Sequence, residues 1–209
     1  MVRLELIGGA GSTYVWVCRM TCAEKGVPYR LTEVWPQSPE ANAIHPLGKI
    51  PAMRDGEVTL FESKAICTYI NKNFKGPQLI PPGHGALEVE QWISLVNTAI
   101  DPVCVRQYCA AYFFPETADH SPDFNRIREA MPKMQHQLGV LDRAVAKTGF
   151  LVGTKFSLAD INVMPILYYL SQLPESGAII ADLPHLTAYY AKHAERPSFK
   201  STIPPAHAA

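Results

Sequence analysis

The sequence predicts two domains of different class, an α/β domain over residues 1–76 and an all-helical domain over residues 86–209, joined by a linker at 77–85. Three observations predict this. Alternation of apolar and polar residues, the pattern of half-buried strands, occurs only before residue 62. The run Gly76-Pro77-Gln78-Leu79-Ile80-Pro81-Pro82-Gly83-His84-Gly85 is too rich in proline and glycine to continue a helix. Beyond it the texture is helical throughout.

Each element has its own signal. Val2, Leu4 and Leu6 alternate with Arg3 and Glu5, which predicts a strand over 2–7. Gly8-Gly9-Ala10-Gly11 breaks it, and Ser12 opens a helix running to about Lys25, closed by Gly26 with Pro28 beyond. Residues 29–34 alternate again, so the opening unit is strand–helix–strand, a parallel pair. Residues 36–48 are polar and mixed, a loop with a short helix. Pro51–Arg54 and Val58–Phe61 flank Asp55-Gly56, a hairpin signal because such turns need residues that accept positive φ. A helix over 63–73 carries Ile66 and Ile70 on one face. The order is that of a thioredoxin-like layer with a mixed four-stranded sheet. Helices follow at 86–114, 122–147, 158–170 and 183–196.

Composition narrows the function classes. Lysine plus arginine equals aspartate plus glutamate, at 19 each, which gives no reason to expect nucleic acid or an anionic membrane as the main partner. No apolar run approaches the roughly 20 residues that span a bilayer, and the charged start Met1-Val2-Arg3-Leu4-Glu5 is unlike a signal peptide, so a cytoplasmic location is expected. The five cysteines form no CxxC pair and are expected to be free, packed thiols; no metal site is expected.

Three motifs suggest binding chemistry. In Lys49-Ile50-Pro51-Ala52-Met53, a proline opening a strand is compatible with a cis bond that would expose the backbone N–H and C=O of Ile50 to an extended peptide. In Phe61-Glu62-Ser63-Lys64-Ala65-Ile66, Ser63 is read as a helix N-cap. The first turn of that helix would attract a carboxylate, and Glu62 an adjacent ammonium. A carboxylate and an ammonium on one carbon describe a γ-glutamyl group. In Gly8-Gly9-Ala10-Gly11-Ser12-Thr13, a hydroxyl at a helix start could donate to a thiolate and lower the thiol's pKa. The glycines do not form G-x-G-x-x-G, so no dinucleotide site is read. A fourth motif, Phe156-Ser157-Leu158-Ala159-Asp160-Ile161, has capping-box and staple spacing and is structural.

In this order the motifs resemble the cytosolic glutathione transferases over nearly the whole chain. His45-Pro46-Leu47-Gly48-Lys49-Ile50-Pro51-Ala52 is similar to the family's N-P-x-G-x-[VI]-P-A segment, Leu60–Ile66 to its L-x-E-S-x-A-I segment, and Ser157-Leu158-Ala159-Asp160 to its S-x-A-D box. The run after the first strand resembles the serine-type branches, phi, theta and many bacterial members. The resemblance implies that Ser12 activates the thiol and that Lys49, Ile50, Pro51, Glu62 and Ser63 bind glutathione. It also implies an electrophile site between the Ala10–Thr13 loop and the helix after the linker, with Ala10, Arg106, Tyr108 and Tyr112 as candidates. No metal or organic cofactor is implied, glutathione being a co-substrate, and a homodimer is expected. The chain departs from the pattern at several places. His45 replaces an asparagine, residues 36–40 lack the basic pair that holds the glycine carboxylate, leaving Lys49 for that role, and Trp16 and Val17 stand where an arginine-rich turn is common. Thr13 and Tyr14 are rival hydroxyls to Ser12. The expected activity is attack of the glutathione thiolate on a small apolar electrophile or a peroxide. The alternatives are a non-catalytic binding or assembly module and a glutathione-dependent isomerase.

Overall fold

A computed structural model describes residues 3–205. The expected strand residue Val2 and the last four residues of the expected helical domain lie outside the described residues. The chain forms two compact units, one of residues 1–80 with 195–209 and one of residues 81–194.

The first unit is built on β1 (Leu4–Ile7), α1 (Thr13–Lys25), β2 (Tyr29–Thr32), α2 (Pro39–Asn42), β3 (Ala52–Asp55), β4 (Val58–Phe61) and α3 (Ser63–Asn73). The sheet has the order β2-β1-β3-β4, with β1 parallel to β2 and antiparallel to β3, and β4 antiparallel to β3. This is the mixed thioredoxin-like sheet expected from the sequence. β1 is central because Leu4, Leu6 and Ile7 are apolar enough to be buried, while Glu5 between them is held by Arg30 at 2.8 Å. Helix α1 ends as the glycine signal predicts: Gly26 sits at φ 64°, its N–H reaches Ala23 O, and the Val27 N–H reaches Cys22 O at 2.8 Å.

Two local expectations change. The hairpin turn is Gly56-Glu57, because Asp55 pairs with Val58 and remains in the strand. Gly56 alone takes the positive φ, at 62°, and the Asp55 carboxylate is buried against the Tyr69 hydroxyl at 2.9 Å and the Arg3 guanidinium. At the start of α3 the N-cap is Glu62, and Ser63 is the first helical residue.

The segment from residue 195 onward belongs to the first unit, whereas the sequence assigns it to the helical domain. Its contacts explain why. The Arg196 guanidinium donates from Nε and Nη2 to the two carboxylate oxygens of Glu24, both at 2.7 Å, and Ser198 donates to the same carboxylate. The short helix α10 (Pro197–Lys200) stacks Phe199 on Trp16 at 5.3 Å, and the Trp16 indole donates to Thr202 at 2.8 Å. Replacing Arg196 with alanine leaves the nearly buried Glu24 carboxylate without its bidentate partner. We expect a loss of about 1–2 kcal/mol, read as a melting temperature lowered by roughly 2–8 °C, with glutathione affinity unchanged.

The second unit is all helical among the described residues. α4 (His84–Leu95) continues through two π-helical stretches, Val96–Ile100 and Pro102–Cys109, into α5 (Ala110–Phe113). The sequence reads this span as one α-helix, and the chain does stay helical. The backbone bonding widens around Pro102, which has no N–H to give. In α6 (Phe124–Val145), Ile127, Ala130, Met134, Leu138, Leu141 and Val145 form the buried stripe that the helical period requires. α7 (Leu158–Ser171) is buried nearly all round. Its capping box is present as predicted. The Asp160 carboxylate accepts from the Ser157 N–H and hydroxyl, the Leu151 N–H and the Tyr189 hydroxyl at 2.9–3.0 Å. α8 (Pro174–Ala181) and α10 have no counterpart in the sequence reading, and α9 (Pro184–Ala194) matches the last predicted helix. Both missed helices have Pro at N1, and their Pro-Glu-Ser-Gly and Pro-Ser starts look like turns in sequence.

Candidate functional site

The strand register brings the three sequence motifs to one end of the sheet. Ala52, the first residue of β3, pairs with Ile7, the last of β1, and with Phe61, the last of β4. The chain therefore leaves β1 at Gly8, enters β3 from Pro51 and leaves β4 at Glu62 side by side. The contact is tight enough to demand glycine. Gly8 has φ 143°, and a Cβ there would stand 2.6 Å from the Val15 side chain and 3.0 Å from that of Ile50. The starts of α1 and α3 lie at the same end, each presenting the positive end of a helix dipole.

Ser12 is the N-cap of α1, at φ −68° and ψ 127°. Its backbone is engaged, the N–H with Gly9 O at 3.0 Å and the C=O with the Trp16 N–H at 2.9 Å, but its side chain makes no capping bond. The hydroxyl is thus half-exposed and uncommitted. Thr13 differs, because its hydroxyl oxygen is sealed inside the protein with no hydrogen-bond partner. Arg19 braces the loop: from α1 its guanidinium reaches Ala10 O at 3.4 Å and the Tyr29 hydroxyl at 3.2 Å, although the side chain is buried. The sequence reading gave Arg19 no role.

The Ile50–Pro51 peptide bond is cis, and Ile50 is partly exposed ahead of the buried Pro51. Lys49 is exposed. Glu62 has φ 66°, a left-handed backbone that costs a non-glycine residue on the order of 1–3 kcal/mol and tends to mark binding sites. Its side chain is 68% exposed and faces the His45 Nε2 at 3.5 Å, while Ser63 beside it is buried. The site therefore offers a backbone edge at Ile50, a carboxylate at Glu62, a helix start at Ser63 and an uncommitted hydroxyl at Ser12.

The electrophile-side candidates have other partners. Tyr108 and Tyr112 meet edge to face at 5.6 Å, as their spacing of four implies, and both hydroxyls donate to the same Glu175 oxygen, at 2.8 and 2.7 Å. The Tyr108 hydroxyl also accepts from the Ser176 N–H at 3.1 Å. Burial, with Glu175 adding to it, pushes Tyr108 up to about 12 and raises Tyr112 further. Burial would raise Glu175 as well, but the hydrogen bonds it accepts outweigh that and hold it below the usual carboxylate range. Tyr108 is fully buried; Arg106, exposed, donates to Asp101 at 3.0 Å. Glu175 was missed in the sequence because it opens the unrecognised helix α8.

The cysteines offer no rival nucleophile. All five are buried and free, and burial pushes up the thiols of Cys18, Cys22, Cys104 and Cys109, that of Cys104 to about 12. Among the described residues no group of three or more His, Cys, Asp or Glu is placed to hold a metal. No described helix is long and apolar enough to cross a membrane.

Comparison with known proteins finds two family models on the chain, the glutathione S-transferase N-terminal domain over residues 6–78 and the C-terminal domain over residues 106–197. Glutathione S-transferase F10 of Arabidopsis thaliana is 31% identical over 87% of this chain and 87% of its own. The crystal structure of glutathione transferase F7 from Populus trichocarpa superposes with a TM-score of 0.87 at 28% identity, over 95% of this chain and 97% of that one. A theta-class glutathione S-transferase from Xanthomonas axonopodis pv. citri, solved with glutathione bound, gives 0.86 at 26% identity over 99% of both chains.

Proposed function

Because the chain belongs to the glutathione S-transferase family and is a glutathione transferase, we propose that the end of the sheet carrying Ser12, Ile50, Glu62 and Ser63 is its glutathione site. The observation that carries the proposal is the register that gathers these residues beside the starts of α1 and α3. The N–H and C=O of Ile50 pair with the peptide backbone of glutathione as a short strand would. The γ-glutamyl carboxylate rests on the first turn of α3 and its ammonium on Glu62. Lys49 takes the glycine carboxylate.

The sulfur then lies at the start of α1, where the Ser12 hydroxyl donates to it. The hydrogen bond and the helix dipole both favour thiolate over thiol. The thiolate attacks an electrophilic carbon, or a peroxide oxygen, and the electron pair leaves with the departing group. No bond to the enzyme forms, so the acceleration comes from ionisation and positioning. Arg106, Tyr108 and Tyr112 of the helical unit are candidates for recognising the electrophile, the two tyrosines held together by their shared Glu175. The protein acts in the cytoplasm, in detoxification, and needs no cofactor beyond its co-substrate.

An uncommitted Ser12 hydroxyl favours the enzyme over a non-catalytic module, which has no use for it. The test is turnover of an activated aryl halide with glutathione by the purified protein, followed by a panel of electrophiles and peroxides. Saturable conjugation is expected; a folded protein that binds glutathione without turning over any of them would be the binding module instead. We also expect a homodimer, since members of this family pair the first domain of one subunit with the second of the other. Light scattering at micromolar concentration should return twice the 23.1 kDa chain mass, and the chain mass itself would refute the dimer.

A further inference from the structure

In the cluster of Tyr108, Tyr112 and Glu175 the chemistry of the groups fixes where the protons sit. The two tyrosines stand one turn apart, on the second π-helical stretch and on α5, and Glu175 lies in the first turn of α8. Their hydroxyls approach the same oxygen, Glu175 Oε2, at 2.8 and 2.7 Å. Burial works to raise Glu175, but the hydrogen bonds it accepts, that from Tyr112 first, outweigh burial and keep it ionised at neutral pH. An ionised carboxylate has no proton to give, so both phenols must be the donors, and each has only one proton. The Tyr108 oxygen also accepts the Ser176 N–H at 3.1 Å, and the residue is fully buried. Tyr112 is half-buried, and its oxygen keeps only lone pairs to offer. Burial first, and then the bond to Glu175, raise the Tyr112 phenol and make it a poorer acid.

We propose that Glu175 is a positioning residue that sets the class of electrophile: by holding the Tyr112 proton it makes this phenol an acceptor, so the enzyme favours electrophiles that need no proton from the protein. This rests on the reading that Tyr112 recognises the electrophile. Two reaction classes differ in what they require. On an activated aryl halide, the thiolate pair forms the C–S bond and the halide departs with the C–halogen pair as a stable anion. No proton is needed. On an epoxide, the thiolate pair forms the C–S bond and the C–O pair stays on oxygen as an alkoxide, which must then take a proton. A donor aimed at that oxygen would stabilise it as it forms. Tyr112 gives no such help while its proton points at Glu175, so water has to supply the proton. The Glu175 charge also opposes a second negative charge nearby. Arg106, the cation among the candidates, is already paired with the Asp101 carboxylate at 3.0 Å. Replacing Glu175 with alanine frees the Tyr112 proton to turn to the ligand. Glutamine differs, because its side-chain oxygen can take the place of Oε2 and keep both phenols as donors to it.

The experiment measures kcat/KM for an activated aryl halide and for a simple aryl epoxide at saturating glutathione. The enzymes are wild type, Glu175→Ala, Glu175→Gln, Tyr112→Ala and the double variant Glu175→Ala/Tyr112→Phe. In Glu175→Ala the ratio of epoxide to aryl halide should rise by roughly 5- to 30-fold, the scale of one partly exposed hydrogen bond to a developing charge. Glu175→Gln should keep a ratio close to wild type, and the double variant should lose the gain. A purely structural loss would lower both activities and leave their ratio alone. Ultraviolet titration gives a readout independent of turnover. The difference between Glu175→Ala and the double variant should show one phenol titrating near the ordinary value of about 10, earlier than Tyr112 titrates in wild type. An unchanged ratio in Glu175→Ala, or a gain that survives loss of the Tyr112 hydroxyl, overturns the proposal if Tyr112→Ala raises KM for the electrophiles. If Tyr112→Ala leaves those KM values unchanged, Tyr112 is not at the electrophile site and the proposal falls with that reading.

Discussion

Replacing Glu62 with alanine is expected to weaken glutathione binding by roughly 10- to 150-fold, about 1.5–3 kcal/mol, the worth of a charge-assisted hydrogen bond. The loss is smaller than for a buried ion pair because the carboxylate is 68% exposed before the ligand arrives. The variant should fold. Glu62 makes no capping bond, and the φ of 66° is tolerated no worse by alanine than by glutamate. Calorimetry on the folded variant is the check, and unchanged affinity removes Glu62 from the site. The same titration with γ-glutamyl compounds lacking the amine should show little difference between wild type and variant, because the lost partner is then absent from both.

Replacing Ser12 with alanine should lower kcat at neutral pH by roughly 10- to 150-fold while leaving glutathione affinity nearly unchanged. The hydroxyl acts on the sulfur, and the affinity resides in Ile50, Glu62 and Ser63. Because the Ser12 side chain makes no capping bond, its removal should also leave the melting temperature close to wild type, which separates chemistry from stability. The sign of the pH effect follows from the same bond. Without the donor the bound thiol titrates higher, so the pH–rate profile moves to the alkaline side and activity partly returns in mildly basic buffer. Thr13→Val should do little, since the Thr13 hydroxyl oxygen is sealed from the site. An unshifted thiol pKa in Ser12→Ala together with a raised one in Tyr14→Phe would transfer the role to Tyr14.

The sheet and its surrounding helices were legible because period-two alternation and glycine punctuation are local signals. Gly26 ended α1 where it was expected to, and the strand order followed from one crossover and one hairpin. The errors were also local. Asp-Gly favours a turn at Asp55, yet its buried carboxylate, held by the Arg3 guanidinium and the Tyr69 hydroxyl, keeps it in the strand. Ser63 was read as an N-cap on propensity, and the left-handed Glu62 took that place. What the sequence could not show depends on long-range partners. The return of residues 195 onward to α1 rests on Glu24, 172 positions before Arg196. Glu175 joins Tyr108 and Tyr112 from 67 and 63 positions away. His45 was visible as a departure from an asparagine; its link to Glu62 needed the fold.

The most direct test of the glutathione site is a crystal structure of the protein soaked with glutathione. The ammonium should lie within hydrogen-bond reach of Glu62, the γ-glutamyl carboxylate on the first turn of α3, the peptide paired with the Ile50 N–H and C=O, and the sulfur about 3–3.5 Å from the Ser12 hydroxyl. Glutathione bound at the same end of the sheet with its sulfur on Tyr14, or held away from Glu62 and Ser63 altogether, would contradict it.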